Sequence, residues 1–415
     1  MTTHSLDIRL ADYDVSPITG FMPQQSPLLH LENTYYGPWE AVVSSLGRYL
    51  ETGQLGSEID RLPRLQTKRL STEPEWQRAY VILSFLAQGY IWEQQKPRSA
   101  LPLCIANPLV EVADHLEITP CVTYAAVCLW NLRQESSSRY CRCCIAPESF
   151  SATQTFTGSE DEEWFYAVSA AIEIQGAGII PQILVAADAA RQDNVSIVEQ
   201  FLTELGSTIT DVSKTLHRMY VKCQPDVFYH KIRPFLAGSR NAASAGLPNG
   251  VYYPGSGDKG TWRKYYGGSN AQSTLIQLFD IVLGVVHTGS DGQDKTHYLQ
   301  EVRDYMPGKH RKFLIAMEGI CNFRSYATSY GKGSVIWTAY EKAVLALSEL
   351  RNTHLHIASR YIIVPASKYR PSVLNPWRKT NKQERLKGTG GTDLTDFLRG
   401  TRDTTNKAAR FEKPQ

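Results

Sequence analysis

A chain of 415 residues exceeds what one compact core commonly supports, so two domains are expected. Its 42% hydrophobic and 20% charged residues describe an ordinary globular protein, and a net charge of +3 over this length leaves no footprint for nucleic acid. No run of about 18 apolar residues offers a membrane-spanning helix. The opening MTTHSLDIRLADYDVSPITG lacks the charged-then-apolar layout of a secretory signal, so a cytoplasmic protein is expected.

Apolar residues recurring at threes and fours predict helices over Glu75–Gln94, Thr119–Gln134 and Glu162–Ile180. Between the last two, CRCC (Cys141, Cys143, Cys144) contains one C-x-x-C pair. Cys121 and Cys128 are too widely spaced to complete a zinc site and His115 stands alone, so free thiols are expected. The stretch Cys141–Asp161 breaks the helical pattern and turns polar. It marks a boundary between a small helical domain, 1–147, and a larger helical one, 148–415. Further helices are predicted over Ile197–Tyr220, Gln272–His287 and Ala339–Val364, with one short strand-like run at Gly250–Tyr253. The fold class is therefore all-α. Two long irregular stretches interrupt it: Ala237–Asn270, rich in Gly, Ser and Asn, and a polar, then Gly-rich segment, 367–392, that reads as a mobile loop.

Some motifs point nowhere. Gly255-Ser-Gly257-Asp-Lys-Gly260 satisfies G-x-G-x-x-G but lacks the strand before it and the helix after it, and reads as a turn. GTGGT (Gly388–Thr392) has no phosphate-loop lysine, and the basic run Trp377–Gly388 reads as a solvated loop.

LRNTHLHIASRYIIVPA (Leu350–Ala366) holds two histidines. Residues three and four apart share a helix face, so His354 sides with Leu347, Leu350, Ile357 and Tyr361. His356 sides with Asn352, Thr353, Ser359 and Arg360. An inward imidazole in an apolar surround is either a hydrogen-bonded core residue or a metal ligand, and haem needs only one such ligand. Arg351, on the same side, suits either a haem propionate or solvent. Asp280, set among apolar residues in QLFDIVLG, either supports an imidazole's second nitrogen or pairs with an arginine.

Six segments complete the picture: YVILSFLAQGYIW, VFYHKIRPFLAGSR, GGSNAQSTLIQLFDIVLGV, YMPGKHRKFL, LRNTHLHIASRYIIVPA and GTGGTDLTDFL. In this order and spacing, from about Asp12 to Arg402, the chain resembles the indoleamine 2,3-dioxygenase family. The resemblance implies a two-domain helical fold with haem b in the larger domain, its iron ferrous when active. It places His354 as the proximal ligand, with Asp280 linked to that side and Arg351 beside the propionates. Ser269 and Ala271 fall on a small-residue loop past the haem. Tyr124, Phe165, Ser169, Phe228 and Tyr229 fall on the indole pocket, Arg233 on the substrate carboxylate and Thr389 on a loop closing over the amino-acid head group. Ser169, Arg233 and Thr389 carry the catalytic assignments.

The implied reaction joins both atoms of O2 to the indole C2–C3 bond of L-tryptophan, giving N-formylkynurenine, with an electron donor keeping the iron ferrous. Nucleic acid and membrane are not expected as partners, and a monomer is. Departures from the family pattern, Ser269-Asn270-Ala271 for Ser-Ala-Gly, Tyr229 for Phe and Ser239 for Trp, leave open another indole substrate. A haem sensor without turnover also stays open, as does a helical interaction protein with His354 as core.

Overall fold

The computed structural model describes residues 8–134, 145–255, 260–287, 295–368 and 394–410. Helices dominate them, as expected for an all-α chain. The strands among them form two antiparallel hairpins: β1 (Leu132–Gln134) with β2 (Phe150–Ala152), and β3 (Val251–Tyr253) with β4 (Thr261–Arg263). The helices of nine residues or more are α1 (Glu73–Trp92), α2 (Leu103–His115), α3 (Glu160–Ala177), α4 (Ile180–Arg191), α5 (Val195–His217), α6 (Thr274–Val282), α7 (Gly308–Ile320), α8 (Val335–Ala358) and α9 (Leu394–Ala408). Strands β3 and β4 flank the G-x-G-x-x-G stretch, of which residues 256–259 lie outside the described residues.

Helices α5 and α8 form the spine. On α5 the buried residues Val198, Phe201, Leu202, Leu205, Ile209, Val212 and Leu216 recur at threes and fours and make one apolar stripe. Each large apolar side chain buried there contributes about 1.5–3 kcal/mol. Gly206 lets the two backbones close, since a Cβ at that position would meet the Ala343 Cα of α8 at 3.3 Å. Side-chain caps fix where the helices begin: Asn194 accepts from Ile197 N, and Ser334 from Trp337 N. The amphipathic α9 lays Leu394, Leu398, Thr401, Thr405 and Ala408 against α8.

The stretch Glu160–Arg191, α3 and α4 together, is long and apolar enough to cross a membrane by length and composition. Most of it is buried inside the protein, and a break at residues 178–179 divides it, so it is core. Glu173 and Asp188 interrupt the run in the sequence.

Three predicted helices are revised. Thr119–Gln134 is no continuous helix but a π turn, Ala125–Leu129, followed by β1. The segment crosses the interior, where the Tyr80 hydroxyl bonds the Thr119 and Cys121 carbonyls and takes them out of any helical ladder. The helix expected to reach His287 stops at Val282, because Gly284 turns the chain with φ +61°. The helix expected over Ala339–Val364 starts earlier and loosens into a π turn, Ser359–Ile363. On the side assigned to His356, Thr353 is buried, its hydroxyl 3.1 Å from that of Ser213 on α5. The CRCC motif, GTGGT with Thr389, the basic run and all but the first two residues of the expected mobile loop lie outside the described residues.

Candidate functional site

Three π turns, Ala125–Leu129, Phe228–Ile232 and Ser359–Ile363, all border one apolar cavity of about 240 Å³. Such turns shift a helix face by one residue and gather at functional sites. Val127 and Cys128, Phe228, and Tyr361 and Ile362 line the cavity from these turns. Helix α3 adds Phe165 and Ser169, α8 adds Leu350, Arg351 and His354, α6 adds Asp280, and α9 adds Leu398 and Thr401. Tyr124, Ser269 and Ala271 complete the predicted residues that meet there.

The small-residue loop is held by a backbone crossing. A Cβ on Gly267 would fall 2.5 Å from the Gly238 nitrogen and 2.0 Å from the Leu236 carbonyl, so only glycine fits. Gln272 ties this loop to the cavity wall, accepting from Tyr124 N at 2.9 Å and donating to the Gly267 carbonyl at 2.8 Å. Ser269 caps the following turn by accepting from Ala271 N.

His354 reaches the cavity half-buried and makes no hydrogen bond with the described residues, whereas His356 on the same helix is exposed. Enclosure by protein, reinforced by the nearby Arg351 guanidinium, pushes the pKa of His354 down to about 4. Its imidazole is therefore neutral at physiological pH, the form that ligates a metal.

Asp280 does not support His354. Arg351 Nη2 donates to both its oxygens, at 2.6 and 2.7 Å, and His287 Nε2 lies 3.0 Å from Oδ2. Burial works to raise the Asp280 pKa, but Arg351 and then His287 outweigh it and hold the carboxyl below its ordinary value. Arg351 also donates to the Thr405 hydroxyl of α9, so it is already engaged where a propionate contact was expected. His287 is a cavity residue that sequence reasoning missed, because the predicted helix carried it past the turn that brings it back to Asp280.

Glu173 was missed as well, although an acid inside AAIEIQGAG carries the same signal that singled out Asp280. It is fully buried, and its Oε1 accepts from the Tyr124 hydroxyl at 2.9 Å and the Ser273 hydroxyl at 2.7 Å. Tyr229 and Arg233 follow Phe228 in chain order and are buried, with the Arg233 guanidinium 5.6 Å from the Tyr229 ring centroid. Neither lines the cavity as bounded by the described residues. Ser239, where the family pattern has Trp, also lies away from it, accepting from Tyr265 N at 3.1 Å.

Haem can be tested against these residues. No cluster of three or more His, Cys, Asp or Glu forms a metal site among the described residues. A macrocycle brings its own nitrogens and needs one axial imidazole, which His354 presents neutral and unengaged. The apolar lining suits its faces, and Arg351, though paired with Asp280, is a cation at the cavity edge for its carboxylates. The residues fit.

The sequence profile of the family described as Indoleamine 2,3-dioxygenase matches residues 9–408. The indoleamine 2,3-dioxygenase qulI of Penicillium citrinum is 44% identical over 408 residues, covering 98% of this chain and 90% of its own length. The indoleamine 2,3-dioxygenase nanC of Aspergillus nanangensis is 44% identical over 410 residues, 98% of each chain. The 6-hydroxytryptophan 2,3-dioxygenase fscD of Fusarium equiseti is 36% identical over 403 residues, 94% of this chain and 95% of its own. With a family match over nearly its whole length and a cavity that the neutral imidazole of His354 enters, the chain belongs to the indoleamine 2,3-dioxygenase family.

Proposed function

We propose that this protein is a haem-dependent dioxygenase that adds both atoms of O2 across the C2–C3 bond of the indole of L-tryptophan, giving N-formylkynurenine. The observation that carries the reading is one apolar cavity lined by the neutral imidazole of His354 and by the aromatic residues Tyr124, Phe165 and Phe228. Haem, when bound, supplies the ferrous iron that activates O2.

The chain's own residues do the rest. His354 holds the iron from α8. Arg351, three residues before His354 on α8 and paired with Asp280, is the cation on that side of the cavity toward which a propionate would turn. Tyr124, Phe165 and Phe228 offer ring surfaces to a flat indole, and Phe165 and Phe228 already pack with centroids 5.0 Å apart. The cavity lining keeps water from the reacting carbon atoms. Arg233 takes the substrate carboxylate, Ser169 contacts the reacting end, and Thr389 closes over the amino group. The protein works as a cytoplasmic monomer with an external electron donor.

A substituted tryptophan is the second reading. It is favoured by the Ser169 hydroxyl and Cys128 thiol lining the cavity together with Phe165 and Tyr124, and by a relative named for a hydroxylated tryptophan. The test is to supply ferrous protein with 18O2 and a panel of indoles. The proposed function expects two labelled oxygens in the formylkynurenine product of L-tryptophan. A larger kcat/KM for a ring-substituted tryptophan selects the second reading. Absence of product from every indole rules out both.

A further inference from the structure

Glu173 follows Ser169 by four residues on α3, one turn along the face that borders the cavity. Both hydrogen bonds to its carboxyl fall on Oε1, and Oε2 is buried with no partner. The groups that face it are the Tyr124 phenol beside the π turn, the Cys128 thiol within that turn and the Ser273 hydroxyl at the start of α6. None is charged, since burial pushes the Tyr124 and Cys128 pKa values well up. A carboxylate there would leave one oxygen bare in a dry, chargeless surround, which is costly. A proton on Oε2 removes that charge and keeps Oε1 as the acceptor for both hydroxyls. Burial accordingly raises the Glu173 pKa to about 7, against the pull of the Ser273 and Tyr124 hydrogen bonds.

The Tyr124 hydroxyl donates to Glu173 while Tyr124 itself lines the cavity. We infer that Glu173 is a positioning residue that acts in its protonated form, drawing the Tyr124 hydroxyl out of the substrate pocket so that the ring face meets the indole. Through Ser273, which caps α6 by accepting from Ile276 N, the same carboxyl ties this wall to the helix that carries Asp280. Ionisation of Glu173 keeps both hydroxyls on Oε1 but places an uncompensated charge behind the indole wall, with Oε2 bare. The inference rests on the indole-dioxygenase reading and deepens it.

The experiment compares wild type with Glu173→Gln, Glu173→Leu and the double variant Glu173→Leu/Tyr124→Phe. Haem content is checked by the Soret band. Wild-type kcat/KM for L-tryptophan should fall at least about fivefold between pH 6 and pH 8, as expected for an acid needed in its protonated form. Glu173→Gln, which keeps the acceptor and cannot ionise, should stay flat over that range. Glu173→Leu should raise KM about tenfold with kcat less affected, and removal of the orphaned hydroxyl in the double variant should restore most of it. A Gln variant with the wild-type pH limb, or a Leu variant with wild-type KM, overturns the inference.

Infrared difference spectra separate this outcome from failure of the reading. A protonated-carboxyl band present at pH 6, lost by pH 8.5 and absent in Glu173→Gln supports the assignment whatever the turnover. No such band overturns it. A wild type that makes no product from any indole removes the dioxygenase reading alone.

Discussion

Asp280 and Glu173 are carboxyls buried at one cavity, and their surroundings push them in opposite directions. Around Asp280, Arg351 and His287 overcome burial and keep the group ionised. Around Glu173 only hydroxyls and a thiol are present, and burial wins. The comparison teaches how one cavity keeps two chemistries. Charge is concentrated beside the helix end that carries His354, where a cofactor with carboxylates would sit. The wall of Tyr124, Phe165 and Phe228 is kept neutral for a flat apolar ring.

The sharpest way to break this division is His354→Ala. It should abolish haem binding, read as loss of the Soret band, while far-ultraviolet circular dichroism stays unchanged. Full haem content in that variant would remove the ligand assignment. Asp280→Ala should come next, since removing one partner of a buried pair costs about 3–5 kcal/mol, measured by urea unfolding. Its pH dependence follows from the sign of the shift. A folded-state pKa below the ordinary 3.8 stabilises above that value, and the contribution is lost as pH falls through the folded pKa. The variant should therefore lose part of the acid limb of the unfolding curve.

Arg233→Ala tests the neutral wall's neighbour. The expected result is a rise in KM of about ten- to a hundredfold, the worth of a charge-assisted hydrogen bond, with haem retained. Unchanged kinetics would take Arg233 out of the substrate site. Glu173→Gln sharpens the comparison by stability alone. A carboxyl raised from 4.5 to about 7 on folding makes wild type lose stability as pH rises from 4.5 to 7, with no further loss above. The Gln variant should lack that decline, so the two buried acids should tilt the stability curve in opposite directions. His356→Ala, on the exposed side of α8, should change stability by less than about 0.5 kcal/mol and leave haem content alone.

Much of this was legible in the chain. The helical spacing separated His354 from His356 correctly, because a helix face is a local property and Leu347, Leu350, Ile357 and Tyr361 are all buried. An isolated acid in QLFDIVLG marked Asp280 as needing a partner, but its partners come from two other places in the chain: α8 supplies Arg351, and the turn after Gly284 supplies His287. The same signal at Glu173 went unread because the helix pattern explained the run without it. Thr119–Gln134 misled because an apolar segment buried all round has the periodicity of a helix without its hydrogen bonds.

Alone, the sequence determined the helical class, the positions of most long helices, the inward histidine and the family. These follow from spacing and from motifs that act over a few residues. The tertiary structure decided which groups share the cavity: the three π turns, the backbone crossing at Gly238 and Gly267, and the opposite fates of Asp280 and Glu173. The reason is physical. A carboxyl's charge depends on what lies within a few ångströms of it, and those neighbours are brought there by packing between segments far apart in the chain.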